Sequence, residues 1–288
     1  MILEFDERRD RHIGTMTGTV EDRWASGDAY EPYVGRWSRL VAGEFLRWLD
    51  APPGLDWLDV GCGTGALAAA AAGACAPKRL AGIDPSPGFL DVARRRLDGS
   101  GAEVRQADAQ ALPFAAAAFD RVVSGLVLNF VPDPPRAVAE MARVARPKGE
   151  GDDGGGEVAL YVWDYAEGMG LMRRFWDAAA ALDPRARTLD EGRRFPLCRP
   201  EPLRALFDAA GLTRIETRAI DVPTVFRGFD DYWTPFLGGQ GPAPGYCMAL
   251  AEDARLALRE RLRESLPTQP DGGIHLTARA WAVRGRKG

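Results

Sequence analysis

The chain is poor in the residues that most often carry metal or acid–base chemistry. Its 288 residues include two histidines, His12 and His275, and four cysteines. Cys62, Cys75, Cys198 and Cys247 stand far apart, with no C-x-x-C pair and no Cys/His spacing. That pattern excludes a recognisable zinc motif and a disulfide framework, and no metal is expected. No run approaches about 18 consecutive apolar residues, so no membrane-spanning helix is expected. An excess of positive charge is missing as well. The 37 Lys+Arg stand against 41 Asp+Glu, a net charge of −4, which argues against nucleic acid as a partner. The one basic run, Arg284, Arg286 and Lys287, reads as a solvated tail. The first residues, charged from Asp6 to Arg11, hold no apolar signal core. A cytoplasmic protein, monomer or homodimer, is the resulting expectation.

What is present is ordinary globular material, 46% apolar and 27% charged, outside the composition range of disordered chains. The length allows one large domain or two small ones. Residues 1–29 are polar and weakly periodic, broken by Gly14, Gly18 and Gly27, and read as a loosely ordered extension in which Met16 is a second candidate start. From residue 30 to 288 the pattern is that of one domain. Val34, Trp37, Val41, Phe45 and Trp48 recur at helical spacing. Short apolar strands follow at 57–60, 79–83, 103–106, 119–128 and 157–163, with helices between them. Asp133 looks like an N-cap with Pro134 at the first helical position. Strands alternating with helices at this spacing predict a doubly wound, mostly parallel sheet covered on both faces, an α/β fold. Residues 164–200 interrupt the alternation. Helices at 202–210 and 249–266 and strands at 215–225 and 274–283 complete the chain.

The most informative stretch is Asp59-Val60-Gly61-Cys62-Gly63-Thr64-Gly65, where a strand feeds a helix. Glycines there let a ligand approach the backbone, and the helix N-terminus offers N–H donors. The glycines alone are weak, since with 33 Gly in the chain the spacing arises by chance roughly 0.4 times. The acids sharpen it. Asp84, followed by Pro85, ends the second strand, where a carboxylate suits ribose hydroxyls, and Asp108, followed by Ala109, ends the third beside the same crevice.

In order, Leu58 to Gly65, Gly82-Ile83-Asp84-Pro85-Ser86, Ala107 to Phe114 and Phe119 to Val123 resemble the successive motifs of class I S-adenosylmethionine-dependent methyltransferases. Arg143 to Pro147 resembles the family's later helix end, and the closest subgroup is the small-molecule enzymes similar to those of quinone and sterol biosynthesis. The resemblance implies a seven-stranded Rossmann-like sheet with its last strand antiparallel, an N-terminal helical cover and a lid at about 164–200. By the family pattern, Asp59, Gly61, Cys62, Gly63 and Gly65 hold the methionine part of S-adenosylmethionine, Asp84 and Pro85 the ribose, and Asp108 and Ala109 the adenine. S-adenosylhomocysteine is then the product. Two departures stand out: Ala115 to Ala118 fill a position often taken by a Pro/Asp/Gly turn, and Lys148 to Gly156 form a longer, acidic loop.

The chemistry implied is in-line displacement on an activated methyl, in which the protein mainly aligns the acceptor and excludes water. Asn129 follows the fourth strand as an orienting hydrogen-bonder or as a turn residue. Asp164 ends the fifth strand as a base or as a cap. Without the paired prolines of the nucleobase and glutamine enzymes after Asn129, a small-molecule acceptor is expected. Tyr33, Arg36, Trp37, Tyr165, Arg173, Trp176 and Trp233 are the candidate acceptor residues, an aromatic cup with arginines that suits a planar or acidic substrate. Two other readings compete. Gly61, Gly63 and Ala66 also satisfy G-x-G-x-x-G/A, the fingerprint of an NAD(P)-dependent oxidoreductase, and a non-catalytic S-adenosylmethionine-binding module has the same motifs.

Overall fold

The structure is a computed structural model that describes residues 31–148, 155–239 and 241–288. The expected extension over 1–29 lies outside them. Seven strands form one sheet: β1 Asp56–Val60, β2 Arg79–Asp84, β3 Glu103–Gln106, β4 Arg121–Gly125, β5 Glu157–Trp163, β6 Leu212–Phe226 and β7 Ile274–Lys287. Their spatial order is β3-β2-β1-β4-β5-β7-β6. The first five pair in parallel, and β7 is inserted antiparallel to both β5 and β6. This is the seven-stranded sheet that the resemblance implies. The chain returns from the β3 edge to the middle of the sheet between β3 and β4, so β1 and β4 flank the switch point where such sheets bind ligands.

The strands form where apolar residues run without breaks: β5 is buried along its whole length, as expected of a strand covered on both faces. Helix α1 (Arg36–Leu49) turns Trp37, Val41, Phe45 and Leu49 inward and packs on α2 (Ala66–Ala74). Helix α3 (Pro87–Arg96) begins at Ser86, whose hydroxyl accepts from the Phe89 amide. Helix α4 (Pro134–Val144) starts as anticipated, with the Asp133 carboxylate accepting from the Arg136 amide at 3.1 Å. After β5 come α5 (Gly170–Leu182), the short α6 (Glu191–Arg194) and α7 (Pro200–Ala209), which packs on β6, β7 and α4. Between β6 and β7 lie α8 (Phe229–Trp233), α9 (Pro242–Ala249) and α10 (Glu252–Ser265), with α9 and α10 resting on α5.

Three elements differ from the sequence reading. The fourth strand stops at Gly125 rather than reaching 128, because Leu126 takes φ +64° and its amide bonds the Tyr161 carbonyl. The helix expected at 249–266 is α10, which starts only at Glu252, and a further helix the sequence reading did not anticipate, α9, precedes it. The first helix is preceded by a wide turn, Glu31–Gly35.

Candidate functional site

β1 and β2 end side by side, Asp59 opposite Gly82 and Val60 opposite Ile83, so the loop after β1 and the acid at the end of β2 meet. Gly61, Gly63 and Gly65 all sit in the left-handed region, at φ +71°, +53° and +81°, which glycine adopts without strain. Gly61 is the tightest of them: a β-carbon there would lie 2.5 Å from the Val127 side chain. The loop is stapled by the Cys62 amide donating to the Ile83 carbonyl at 2.8 Å and by the Gly63 amide donating to Asp84 Oδ2 at 2.9 Å. Asp84 Oδ1 accepts from the Ser86 amide at 2.9 Å. Burial pushes the Asp84 carboxyl up, against the pull of these two amides.

Asp59 is different. It is 1% exposed, and neither carboxylate oxygen has a hydrogen-bond partner among the described residues. Burial lifts its carboxyl to about 7, the nearby Ala68 amide opposing the rise and the Asp84 charge adding to it. An unpaired buried carboxylate is costly, and such a group is stable only when a cation or donor completes it. Asp108 lies at the rim, exposed, with its oxygens accepting from the Gln110 backbone and side-chain amides; these bonds hold it below the usual carboxylate range.

These residues enclose a cleft of about 430 Å³. Of the residues expected to hold the cofactor, Asp59, Gly61, Cys62, Gly63, Asp84, Pro85, Asp108 and Ala109 line it; Gly65 does not, serving instead as the N-cap of α2. The opposite end is walled by Tyr161, Trp163, Tyr165, Phe130 and Ser38, and among the described residues there is no arginine, lysine or carboxylate there. Phe195 packs on both Phe130 and Tyr165 from outside, ring centroids 5.2 and 5.6 Å away.

Of the seven acceptor candidates, Tyr165 alone lines this cleft. The others are occupied elsewhere. Arg36 pairs with Asp231 at 2.9 Å and covers Trp37 and Phe226. Trp37 packs edge-on against Phe226, Tyr33 donates its hydroxyl to Met172 Sδ, and Trp233 is buried against Phe229. Arg173 forms a two-pronged pair with Asp190, and Trp176 donates its indole N–H to Glu191. Asp164 caps the turn after β5, accepting from the Glu167 amide at 3.1 Å, and stands outside the cleft. Asn129 is beside it, not in it; neither end of its buried side-chain amide has a partner among the described residues.

One contact carried no signal in the sequence. The Glu31 carboxylate accepts from Thr64 Oγ1 at 3.0 Å and from Arg96 at 2.9 Å, clasping the N-terminal segment to the glycine loop. Burial pushes Glu31 up, but bonds from Arg96, Arg39 and Thr64 outweigh it and leave the carboxyl lowered. With 65 positions between Glu31 and Arg96, no local pattern links them.

Residues 58–150 match the family model described as a methyltransferase domain. That stretch, about a third of the chain, resembles a methyltransferase domain. It is similar to a demethylmenaquinone methyltransferase of Symbiobacterium thermophilum, 36% identical over 150 residues, 50% of this chain and 58% of that protein. A ubiquinone biosynthesis O-methyltransferase of Thiobacillus denitrificans is 46% identical over 110 residues, 36% of this chain and 47% of that protein. These matches cover about half the length of each relative. Among solved structures, a Bacillus halodurans protein provisionally described as a methyltransferase aligns with TM-score 0.56 and 18% identity, over 85% of this chain and 98% of that one. A phosphoethanolamine N-methyltransferase of Haemonchus contortus, solved with S-adenosyl-L-methionine, aligns with TM-score 0.54 and 17% identity, over 90% of this chain and 56% of that one. At these identities the structural likeness is one of fold. No helix among the described residues is long and apolar enough to cross a membrane, and no group of three or more His, Cys, Asp or Glu among them is disposed to hold a metal ion.

Proposed function

We propose that this chain is an S-adenosylmethionine-dependent methyltransferase that acts on a small, planar, uncharged acceptor by in-line displacement. The observation that carries the reading is Asp59: a fully buried carboxylate without a partner, lining the cleft beside a left-handed glycine loop. The amino group of the methionine part is a fitting cation for it. In this reading Asp59 and the Gly61–Gly65 loop hold the methionine part and Asp84 with Pro85 the ribose. Asp108 accepts from the adenine amine against Ala109. When bound, the sulfonium supplies an already activated methyl group.

The chain's own task is then to orient the acceptor and keep water out. Tyr161, Trp163, Tyr165 and Phe130 offer flat apolar faces, while Ser38 and the tyrosine hydroxyls offer the polar handles at that end. Among the described residues no charged side chain stands at that end, which favours an uncharged acceptor over the acidic one that the arginine content pointed to. A hydroxylated aromatic compound fits these features. Asn129 belongs to the proposal only as a support for the neighbouring Phe130. Cytoplasmic location also belongs to the proposal, supported by four buried cysteines that are all free, as does a monomeric or dimeric state.

The test is transfer of isotope-labelled methyl from S-adenosylmethionine to a panel of phenols, quinols, carboxylic acids and amines. Turnover confined to uncharged aromatic acceptors supports the reading. Turnover confined to carboxylic acids or charged amines overturns the acceptor class.

A further inference from the structure

A second cleft, of about 410 Å³, lies behind the wall that carries Tyr165. Ala166 lines it, whereas Tyr165 faces the first cleft, and a β-carbon on Gly192 would meet the Tyr165 carbonyl at 2.8 Å. The two clefts therefore stand back to back across the turn after β5 and the start of α6.

The lining of the second cleft is unlike that of the first. Arg173 and Arg187 contribute to it, as do Arg193 and Arg199, against Asp177 and Asp190. Four arginines against two aspartates leave an excess of two positive charges in a chain whose net charge is −4. Asp190 is already committed: its two oxygens accept from both prongs of Arg173, and Oδ1 also accepts from the Gly192 amide at 2.8 Å. Asp177 has no ion-pair partner among the described residues. The guanidinium groups of Arg187, Arg193 and Arg199 have no ion-pair or hydrogen-bond partner among the described residues. They come from three separate segments, the turn at 184–188, α6 and the start of α7, and converge on one concavity. The Arg173–Asp190 pair fixes its floor. Converging planar guanidinium groups with their donors unspent are suited to recognise oxygen anions in pairs of hydrogen bonds.

We infer that this cleft is a binding site for a multiply charged oxyanion, a phosphate-bearing or polycarboxylate ligand, held by Arg187, Arg193 and Arg199. It is separate from the cofactor and acceptor ends of the first cleft, and the inference does not depend on the reaction assigned there. Because guanidinium groups stay charged throughout the accessible pH range, affinity should track the ionisation of the ligand and not that of the protein.

The experiment is calorimetric titration of the full chain with inorganic phosphate, pyrophosphate and citrate, each at the same ionic strength. The expected result is saturable one-to-one binding of at least one of them. Phosphate or pyrophosphate binding without citrate identifies a phosphate site, and the reverse identifies a carboxylate site. The paired variant Arg187→Gln/Arg193→Gln should weaken that binding at least about tenfold, as should Arg199→Gln alone, a loss of about 1.4 kcal/mol. The thermal unfolding midpoint of the same variants, measured without ligand, should be unchanged and serves as the check that they fold. Absence of saturable binding by all three anions overturns the inference, as does binding that the variants leave intact.

Discussion

Replacing Asp59 by Asn separates what this residue does for a ligand from what it does to the fold. Its carboxyl is raised by burial, and further by the Asp84 charge, from 3.8 to about 7. The ligand-free fold therefore keeps a proton on Asp59 that the unfolded chain releases near pH 4. Relative to the unfolded chain, the stability that goes with this proton is full below about pH 4 and is lost as pH rises through about 7. Above that point the ionised carboxylate costs the ligand-free fold about 4 kcal/mol, at about 1.4 kcal/mol per pH unit. Asparagine has no charge to bury but leaves an amide short of partners, which returns roughly 1–3 kcal/mol. Asp59→Asn should thus stabilise the ligand-free protein by about 1–3 kcal/mol at pH 8, a Tm rise of roughly 2–10 °C. At pH 5 the gain should vanish. The same substitution should weaken S-adenosylhomocysteine binding by at least about tenfold, because the ligand's cation loses its counter-charge. In the unaltered protein that affinity should fall as pH drops from about 8 to 6, where Asp59 gains its proton. Urea unfolding at the two pH values, with calorimetry alongside, measures all of this. A variant no more stable than the parent at pH 8 would refute the reasoning that the carboxylate is buried without a partner.

Other residues give separate tests. Asp84→Ala removes the acceptor for the Gly63 and Ser86 amides as well as for the ribose, and should weaken S-adenosylhomocysteine binding by roughly 2–4 kcal/mol; unchanged affinity in calorimetry would remove Asp84 from the site. Gly61→Ala forces a β-carbon to within 2.5 Å of Val127 at a positive φ, and should destabilise the fold by roughly 2–4 kcal/mol in urea unfolding. Adding Val127→Ala should restore part of that loss, and no restoration would mean that the clash is not the cause. Arg173→Ala leaves Asp190 without its two-pronged partner and should cost roughly 1–3 kcal/mol of stability with no change in S-adenosylhomocysteine affinity. A matching loss of affinity would bring Arg173 back into the first cleft.

The end of the cleft proposed for the cofactor was legible in the sequence because it is built locally. A strand, a glycine loop and a helix occupy 56–74 without interruption, and Asp84 meets that loop through the next parallel strand. Spacing therefore translates directly into proximity. The acceptor end was not legible, because there residue type says little until partners are known. Arg36 finds Asp231, 195 positions away, and the aromatic residues around it form core contacts instead of a pocket. Arg173 and Trp176 are held by Asp190 and Glu191, acids that no periodicity marks as their partners. Tyr161 and Trp163 reach the cleft from inside a strand whose every residue is buried. A pattern of that kind predicts core and is silent about which buried face meets a cavity. The end of β4 was misread for a backbone reason: the left-handed turn at Leu126, a residue seldom found there, ends a run that is apolar enough to continue.

The central claim is tested most directly by calorimetric titration of the purified protein with S-adenosylhomocysteine, and in parallel with NAD and NADP. The account predicts one-to-one binding of S-adenosylhomocysteine in the micromolar range, lost on Asp84→Ala, and no binding of either nicotinamide nucleotide. Binding of a nicotinamide nucleotide without S-adenosylhomocysteine would contradict it, and would make Asp84 the ribose ligand of a dehydrogenase.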